Sequence, residues 1–166
     1  RSEGLTVNRI AVWNGRKWSA LGSGIGDGKI TCLAYGRRGE LYAGGNFHLA
    51  GETLAFGIAR WDQSTWESLP MECRKPEGIY GTVYALARDR NNHLYVGGDF
   101  VLAGNLLVNN IAKWDGHQWS TLGSGVNCRV TALALDSAGN LYEGGYFTQA
   151  GDRPVKNIAR WDGSAW

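Results

Sequence analysis

With 166 residues, 43% of them apolar and 19% charged, the chain has the make-up of a folded domain and lacks the composition of a disordered one. Its 17 basic and 15 acidic residues are interspersed, and the pairs Arg16-Lys17, Arg37-Arg38 and Arg74-Lys75 stand apart, so no basic stripe marks it for nucleic acid. No apolar run reaches the length of a membrane helix, and three cysteines without C-x-x-C spacing offer no zinc site. The 25 glycines follow no Gly-X-Y period and sit among 8 tryptophans and many β-branched residues, the composition of a turn-rich β-protein.

Taken in chain order, the elements repeat. Ile10-Ala11-Val12-Trp13-Asn14-Gly15 returns as Ile58-Ala59-Arg60-Trp61-Asp62, Ile111-Ala112-Lys113-Trp114-Asp115-Gly116 and Ile158-Ala159-Arg160-Trp161-Asp162-Gly163. Each copy meets a second tryptophan five positions on: Trp18, Trp66, Trp119 and Trp166. Between these lie Ile30-Thr31-Cys32-Leu33-Ala34, Val83-Tyr84-Ala85-Leu86-Ala87 and Val130-Thr131-Ala132-Leu133-Ala134. Each of those is followed by Leu41-Tyr42-Ala43-Gly44-Gly45 or its copies at Leu94 and Leu141, then by a phenylalanine and an Ala-Gly pair. From the second glycine to the next Trp-Asp tryptophan is 16 positions in all three copies. Only the connection after the second tryptophan varies: Leu21 to Ile30 spans 9, Leu69 to Val83 14, Leu122 to Val130 8. A connection that varies inside a fixed frame lies on the surface.

These segments are short, β-branched and aromatic, and bounded by Gly, Asp or Asn, so they read as strands. Gly36-Arg37-Arg38-Gly39, Asp89-Arg90-Asn91-Asn92 and Asp136-Ser137-Ala138-Gly139 read as hairpin turns, as do the Asp-Gly pairs after the first tryptophans, with Gln63-Ser64-Thr65 as the variant. Each repeat is a four-stranded antiparallel meander. Sheets of that size bury both faces only by stacking on neighbours, which predicts an all-β fold of β-propeller blades. The repeat units are residues 8–22 (the last two strands of a blade), 23–69, 70–122 and 123–166, about three blades in one propeller segment, 1–166. Three blades do not close a ring, so the expectation is an incomplete ring: a segment of a longer array, or a half-ring pairing with a second copy. The Gly-Gly pairs are expected to admit a neighbouring aromatic, and the tryptophans to form inter-blade core.

The Gly-Gly, aromatic and spaced tryptophan pattern resembles Kelch-type propeller repeats. It is closer to the tandem I-A-x-W-D-G-x-x-W-x-x-L-G and L-Y-V-G-G-x-F repeats of large secreted or surface proteins. The resemblance covers nearly the whole chain and departs from Kelch in carrying Trp where Kelch has Tyr. It implies an extracellular, periplasmic or cell-surface location and specifies fold more than function.

Catalytic chemistry is sparse. His48, His93 and His117 fall at turns of different repeats, and Asp62, Asp115 and Asp162 recur as turn builders, replaced once by Asn14. No calcium loop, G-x-S-x-G elbow or P-loop occurs, and no cofactor or metal is expected. Glu143 is the odd charge, standing where other copies hold Ala43 and Val96. It is either a solvated strand-end residue or a buried functional acid. Cys32 stands in an alanine position and reads as a small buried hydrophobe. Cys73 and Cys128 both precede a first strand in successive blades, close enough for a disulfide to be conceivable. The enlarged connection Pro70 to Gly81 offers Met71, Arg74, Lys75, Ile79 and Tyr80 to a partner. The leading expectation is a non-enzymatic scaffold or protein-interaction module, bound to a protein partner or to further propeller blades. The alternatives are a lectin-like glycan binder and an enzyme domain whose site is completed by other blades.

Overall fold

The computed structural model describes residues 6–69 and 78–166. All regular structure among them is β, with no helix and therefore none long and apolar enough to cross a membrane. The chain opens with a hairpin of β1 (Ala11–Trp13) and β2 (Trp18–Ala20). The first four-stranded sheet follows: β3 (Ile30–Tyr35), β4 (Leu41–Gly45), β7 (Ile58–Trp61) and β8 (Trp66–Glu67), paired antiparallel in that order. The second repeats it with β9 (Ile79–Arg88), β10 (Leu94–Ala103), β12 (Ile111–Trp114) and β13 (Trp119–Ser120). The third has β14 (Val130–Leu135), β15 (Leu141–Gly145) and β18 (Ile158–Trp161). The expected four-stranded meander is present in the first two of these sheets, and the third has its first three strands.

The recurrent Ala-Gly pair is explained by a feature the repeat pattern did not announce. Between the second and third strands of each sheet a small hairpin forms: β5 (Leu49–Ala50) with β6 (Thr53–Leu54), β11 (Leu106–Leu107) against the end of β10, and β16 (Gln149–Ala150) with β17 (Arg153–Pro154). The glycine after the alanine turns it with positive φ.

Alternation along the strands decides which sheet each residue meets. Leu41, Ala43 and Ala59 pack back on Ile10 and Leu21 of the opening hairpin. Tyr42 and Ile58 pack forward on Leu94, Val96 and Ala112 of the second sheet. Tyr95 and Ile111 in turn meet Leu141 of the third. The first strands lie side by side, β3 next to β9 and β9 next to β14. Thr31 Oγ1 donates across that seam to the carbonyl of Val83, as well as to Gly44.

The two glycines of each Gly-Gly pair have different duties. The first is an inter-sheet contact, and the neighbour is a β-branched aliphatic residue, not the aromatic expected. A Cβ on Gly44 would stand 2.6 Å from Val83 Cγ1, and one on Gly97 2.6 Å from Val130 Cγ1. The second glycine is demanded by its own sheet. At the bulge in each first pair of strands, a Cβ on Gly45 would lie 1.9 Å from the Lys29 carbonyl oxygen, and one on Gly145 2.1 Å from that of Arg129.

Gly144 is the equivalent of Gly44 and Gly97 in the third sheet, and nothing comes within 3.4 Å of its added Cβ. The surrounding face is correspondingly open: Ile158 is 63% exposed where Ile58 and Ile111 are 0% and 1%. Gly44→Ala and Gly97→Ala are therefore expected to cost about 1–3 kcal/mol each by forcing the valines out of place. Gly144→Ala is expected to be within about 0.5 kcal/mol of neutral, and urea denaturation of the three variants checks the contrast.

Candidate functional site

The three turn aspartates, and the asparagine that replaces them once, do what their recurrence implied. Asp62 Oδ1 accepts the backbone N–H of Ser64 and Thr65, Asp115 those of His117 and Gln118, and Asp162 those of Ser164 and Ala165; Asn14 does the same for Arg16 and Lys17. Those hydrogen bonds hold Asp62 and Asp162 at a pKa of about 2. In the other hairpin turns Asp89 and Asp136 each accept two backbone N–H groups, and their second oxygens bind His93 Nδ1 and Asn140 Nδ2. The first copy has glycine there, Gly36, and Glu40 reaches in from the far end of the turn to accept from Arg38 N at 2.8 Å. His48 pairs with Asp27 at 2.8 Å on the exposed edge of β5. The histidines stay apart, His93 on its own turn, His48 against Asp27 and His117 exposed, and no group of three metal-ligating side chains forms among the described residues.

Glu143 is buried, 1% exposed, and the solvated reading of it is overturned. The reason is register. Glu143 stands opposite Leu133 and Ala159, and its strand face points back toward the second sheet alongside Leu141. Neither carboxyl oxygen has a hydrogen-bond partner. Burial alone pushes its pKa up to about 8, so the group is held mainly protonated at neutral pH. No charged or titratable neighbour contributes to that shift.

The variable connection also changes on inspection. Ile79 and Tyr80 are strand residues in β9, and Ile79 is a core residue. It is the counterpart of Ile25 and Val126: all three follow a glycine, all are buried, and each N–H bonds the carbonyl of the residue two before the third-strand isoleucine (Asn8, Phe56, Asn109). Gly78 matches Gly24 and Gly125 in accepting from the Ala-Gly glycine of the small hairpin. The excursion is thus confined to 70–77, where the other copies have only Gly22-Ser23 or Gly123-Ser124. Met71, Arg74, Lys75 and Cys73 lie outside the described residues; Cys128 is exposed, and Cys32 is half-buried against the core with its thiol raised to about 11 by burial.

The frame around this excursion is altered to match. Asn8 and Asn109 donate from Nδ2 to the carbonyls of Ser23 and Ser124, tying the short connections down at 2.7 Å. The equivalent residue beside the excursion is Phe56. It stacks on Tyr80 with centroids 5.3 Å apart and planes 14° from parallel, while His48 meets its edge at 5.3 Å. A small hollow lies among Phe47, His48, Phe56, Tyr80 and the backbone of Gly57 and Gly81. Phe56 and His48 carried no sequence signal individually; the substitution of Asn by Phe at a repeat position was the trace they left.

A second place escaped the sequence reading altogether. The fold brings Arg37 and Arg38, taken as an isolated pair, into one groove with Arg60 and Arg90. The groove is about 1000 Å³ and runs between the first and second sheets. Arg88 stands behind it, its guanidinium 5.0 Å over the Tyr42 ring. Glu40 is penalised by burial, yet hydrogen bonds from its own and Arg38's N–H, with the charges of Arg88 and Arg60, outweigh that and lower its pKa.

Two expectations follow. Glu143 binds its proton more tightly folded than unfolded. Its contribution to stability is therefore fully present below pH 4.5, falls as pH rises, and is lost above about pH 8. Through that window the loss is about 1.4 kcal/mol per pH unit, and Glu143→Val, matching Val96, is expected to flatten it in urea midpoints measured against pH. The second concerns the indoles. Trp66 Nε1 donates to the Leu21 carbonyl at 2.8 Å and Trp166 Nε1 to that of Leu122 at 3.0 Å, whereas Trp119 Nε1, facing the copy with the excursion, is buried without an acceptor among the described residues. Trp66→Phe is expected to cost about 1 kcal/mol more than Trp119→Phe, measured by urea denaturation.

In comparisons with known proteins, no family model, no curated protein and no solved structure matches the chain, so its function is read from these residues alone.

Proposed function

We propose that the chain is a segment of a Kelch-like β-propeller, its four-stranded sheets being successive blades, and that it serves as a non-enzymatic protein-interaction module within a larger secreted or surface protein. The excursion at 70–77 is the contact. The observation that carries this reading is the coordinated change at its base: one copy alone gains the excursion, exchanges the Asn-to-Ser tie for the Phe56–Tyr80 stack, and leaves Trp119 without its acceptor. A frame that gives up two hydrogen bonds at one position, and keeps them at its equivalents, has a use for that position beyond packing.

The rival readings draw less support. A lectin needs exposed aromatic faces. Against the expectation that the tryptophans form core, Trp13 and Trp18 of the opening hairpin are half exposed. Trp66, Trp114 and Trp119, however, are committed to core, so the repeat carries no exposed tryptophan from sheet to sheet. An enzyme needs convergent titratable groups. Glu143 has no hydrogen-bonding acid or histidine beside it, Asp62, Asp115 and Asp162 are spent on turns, and Asp27, Glu67 and Asp99 are paired with His48, Arg60 and Arg129.

Replacing residues 70–77 by Gly-Ser, together with Phe56→Asn, recreates the Leu-Gly-Ser-Gly run present at Leu21 and Leu122. The variant is expected to keep the far-ultraviolet dichroism and denaturation midpoint of the parent, or to exceed that midpoint. Affinity capture from an extract of the source cells, read by mass spectrometry, is expected to lose the partner. An unchanged set of captured proteins refutes the interaction reading, and glycan-array binding abolished by Trp18→Ala supports the lectin in its place.

A further inference from the structure

We infer that the arginine groove between the first and second sheets is a second binding site, and that it takes an acidic segment of a protein partner. In a meander the first-to-second and third-to-fourth turns share one end of the sheet, and the connection to the next sheet leaves from the other. The groove is lined by turns of the first kind, at residues 37–40, 90–92 and 115–117. Thr53 and Trp66 to Leu69 line it as well, so it runs along the sheets from those turns, and the inference rests on the turn arginines and not on residues 70–77.

Charge balance gives the groove its character. Four arginines and three acids line it, but the acids are committed. Glu67 Oε2 accepts from Arg60 Nε at 3.1 Å, Glu40 Oε2 from the backbone N–H of Arg38, and Asp115 Oδ1 from those of His117 and Gln118. Arg37, Arg38 and Arg90 are exposed, and none has a carboxylate within 4.0 Å among the described residues. Arg37 and Arg38 come from the β3–β4 turn and Arg90 from the β9–β10 turn, so carboxylates entering between the sheets are met from both walls. Arg88 adds a fifth positive charge behind the floor, with Nη1 buried and unpartnered.

The lining also discriminates between anions. Tyr42, Trp66 and Trp114 contribute to the groove but are buried, so no tyrosine or tryptophan face is free to stack on a sugar or a base, and the one exposed ring is the small imidazole of His117. Besides His117 and the committed carboxylates of Asp115 and Glu67, what is exposed is guanidinium forks with the side-chain amide of Asn91, a donor set that fits side-chain carboxylates bidentately.

The test uses a fluorescein-labelled decapeptide of alternating Glu and Gly, its Gln counterpart, and a sulfated oligosaccharide, with binding to the whole chain followed by fluorescence anisotropy. The triple variant Arg37→Ala, Arg38→Ala, Arg90→Ala is compared with Arg16→Ala, Lys17→Ala, Arg153→Ala, which removes the same charge elsewhere on exposed turns and strands. The Glu peptide is expected to bind saturably and more weakly as salt rises, and the Gln peptide not to bind. The groove variant is expected to weaken binding about tenfold and the control less than about twofold. An equal loss in both variants, absence of saturable binding by the parent, or tighter binding of the sulfated oligosaccharide than of the Glu peptide each overturns the proposal.

Discussion

The structure depends on how closely two sheets approach along their first two strands. At Gly44 and Gly97 the backbone of one sheet is bare, and Val83 and Val130 of the next sheet sit in the space a side chain would fill. That approach brings β3 beside β9 and β9 beside β14, aligns the threonine-to-carbonyl bond across the seam, and turns Tyr42 and Ile58 inward. Each of these buried apolar side chains contributes roughly 1.5–3 kcal/mol, so the seam outweighs any single polar interaction in the molecule. Its geometry is repeated because its residues are repeated.

Polar chemistry is used up in making the sheets regular. Aspartate, asparagine and one glutamate fix the turns at the same end of every sheet, and each does so by accepting from backbone N–H groups that would otherwise go unpaired. The groups that remain unspent are therefore conspicuous. They are the buried Glu143, the aromatic stack beside the excursion, and the arginines of the inter-sheet groove. The first is a liability inside a seam, while the other two face outward.

Strand order, turn positions and the role of the repeated aspartates were legible in the sequence because each is local and recurs with fixed spacing. What was misjudged depended on distance across the fold. Gly44 and Gly45 read as one motif, although one glycine answers to the neighbouring sheet and the other to a bulge in its own. Ile79 read as part of a loop, since its kinship with Ile25 and Val126 shows only once the glycine before each is seen to accept the same hydrogen bond. Arg37 and Arg90 are 53 positions apart and became neighbours only through stacking of sheets. Glu143 was placed on the right strand face, but the depth of that face was set by residues of another repeat.

The way the excursion is hung on the frame has a consequence for chain entropy. Leu69 and Gly78 hold the same two anchor points that Leu21 and Gly24, or Leu122 and Gly125, hold with two residues between them. Growing the tether from two residues to eight keeps Leu69 buried as Leu21 and Leu122 are, and keeps Gly78 in the hydrogen bond that Gly24 and Gly125 make. Closing the longer tether costs about 1 kcal/mol more, by the logarithmic dependence of closure entropy on length. Further lengthening is cheaper still per residue. The two short connections, at Gly22-Ser23 and Gly123-Ser124, are by the same reckoning ports where foreign segments can be spliced in at small entropic cost, once the asparagine tie at each is exchanged as Phe56 exchanges it.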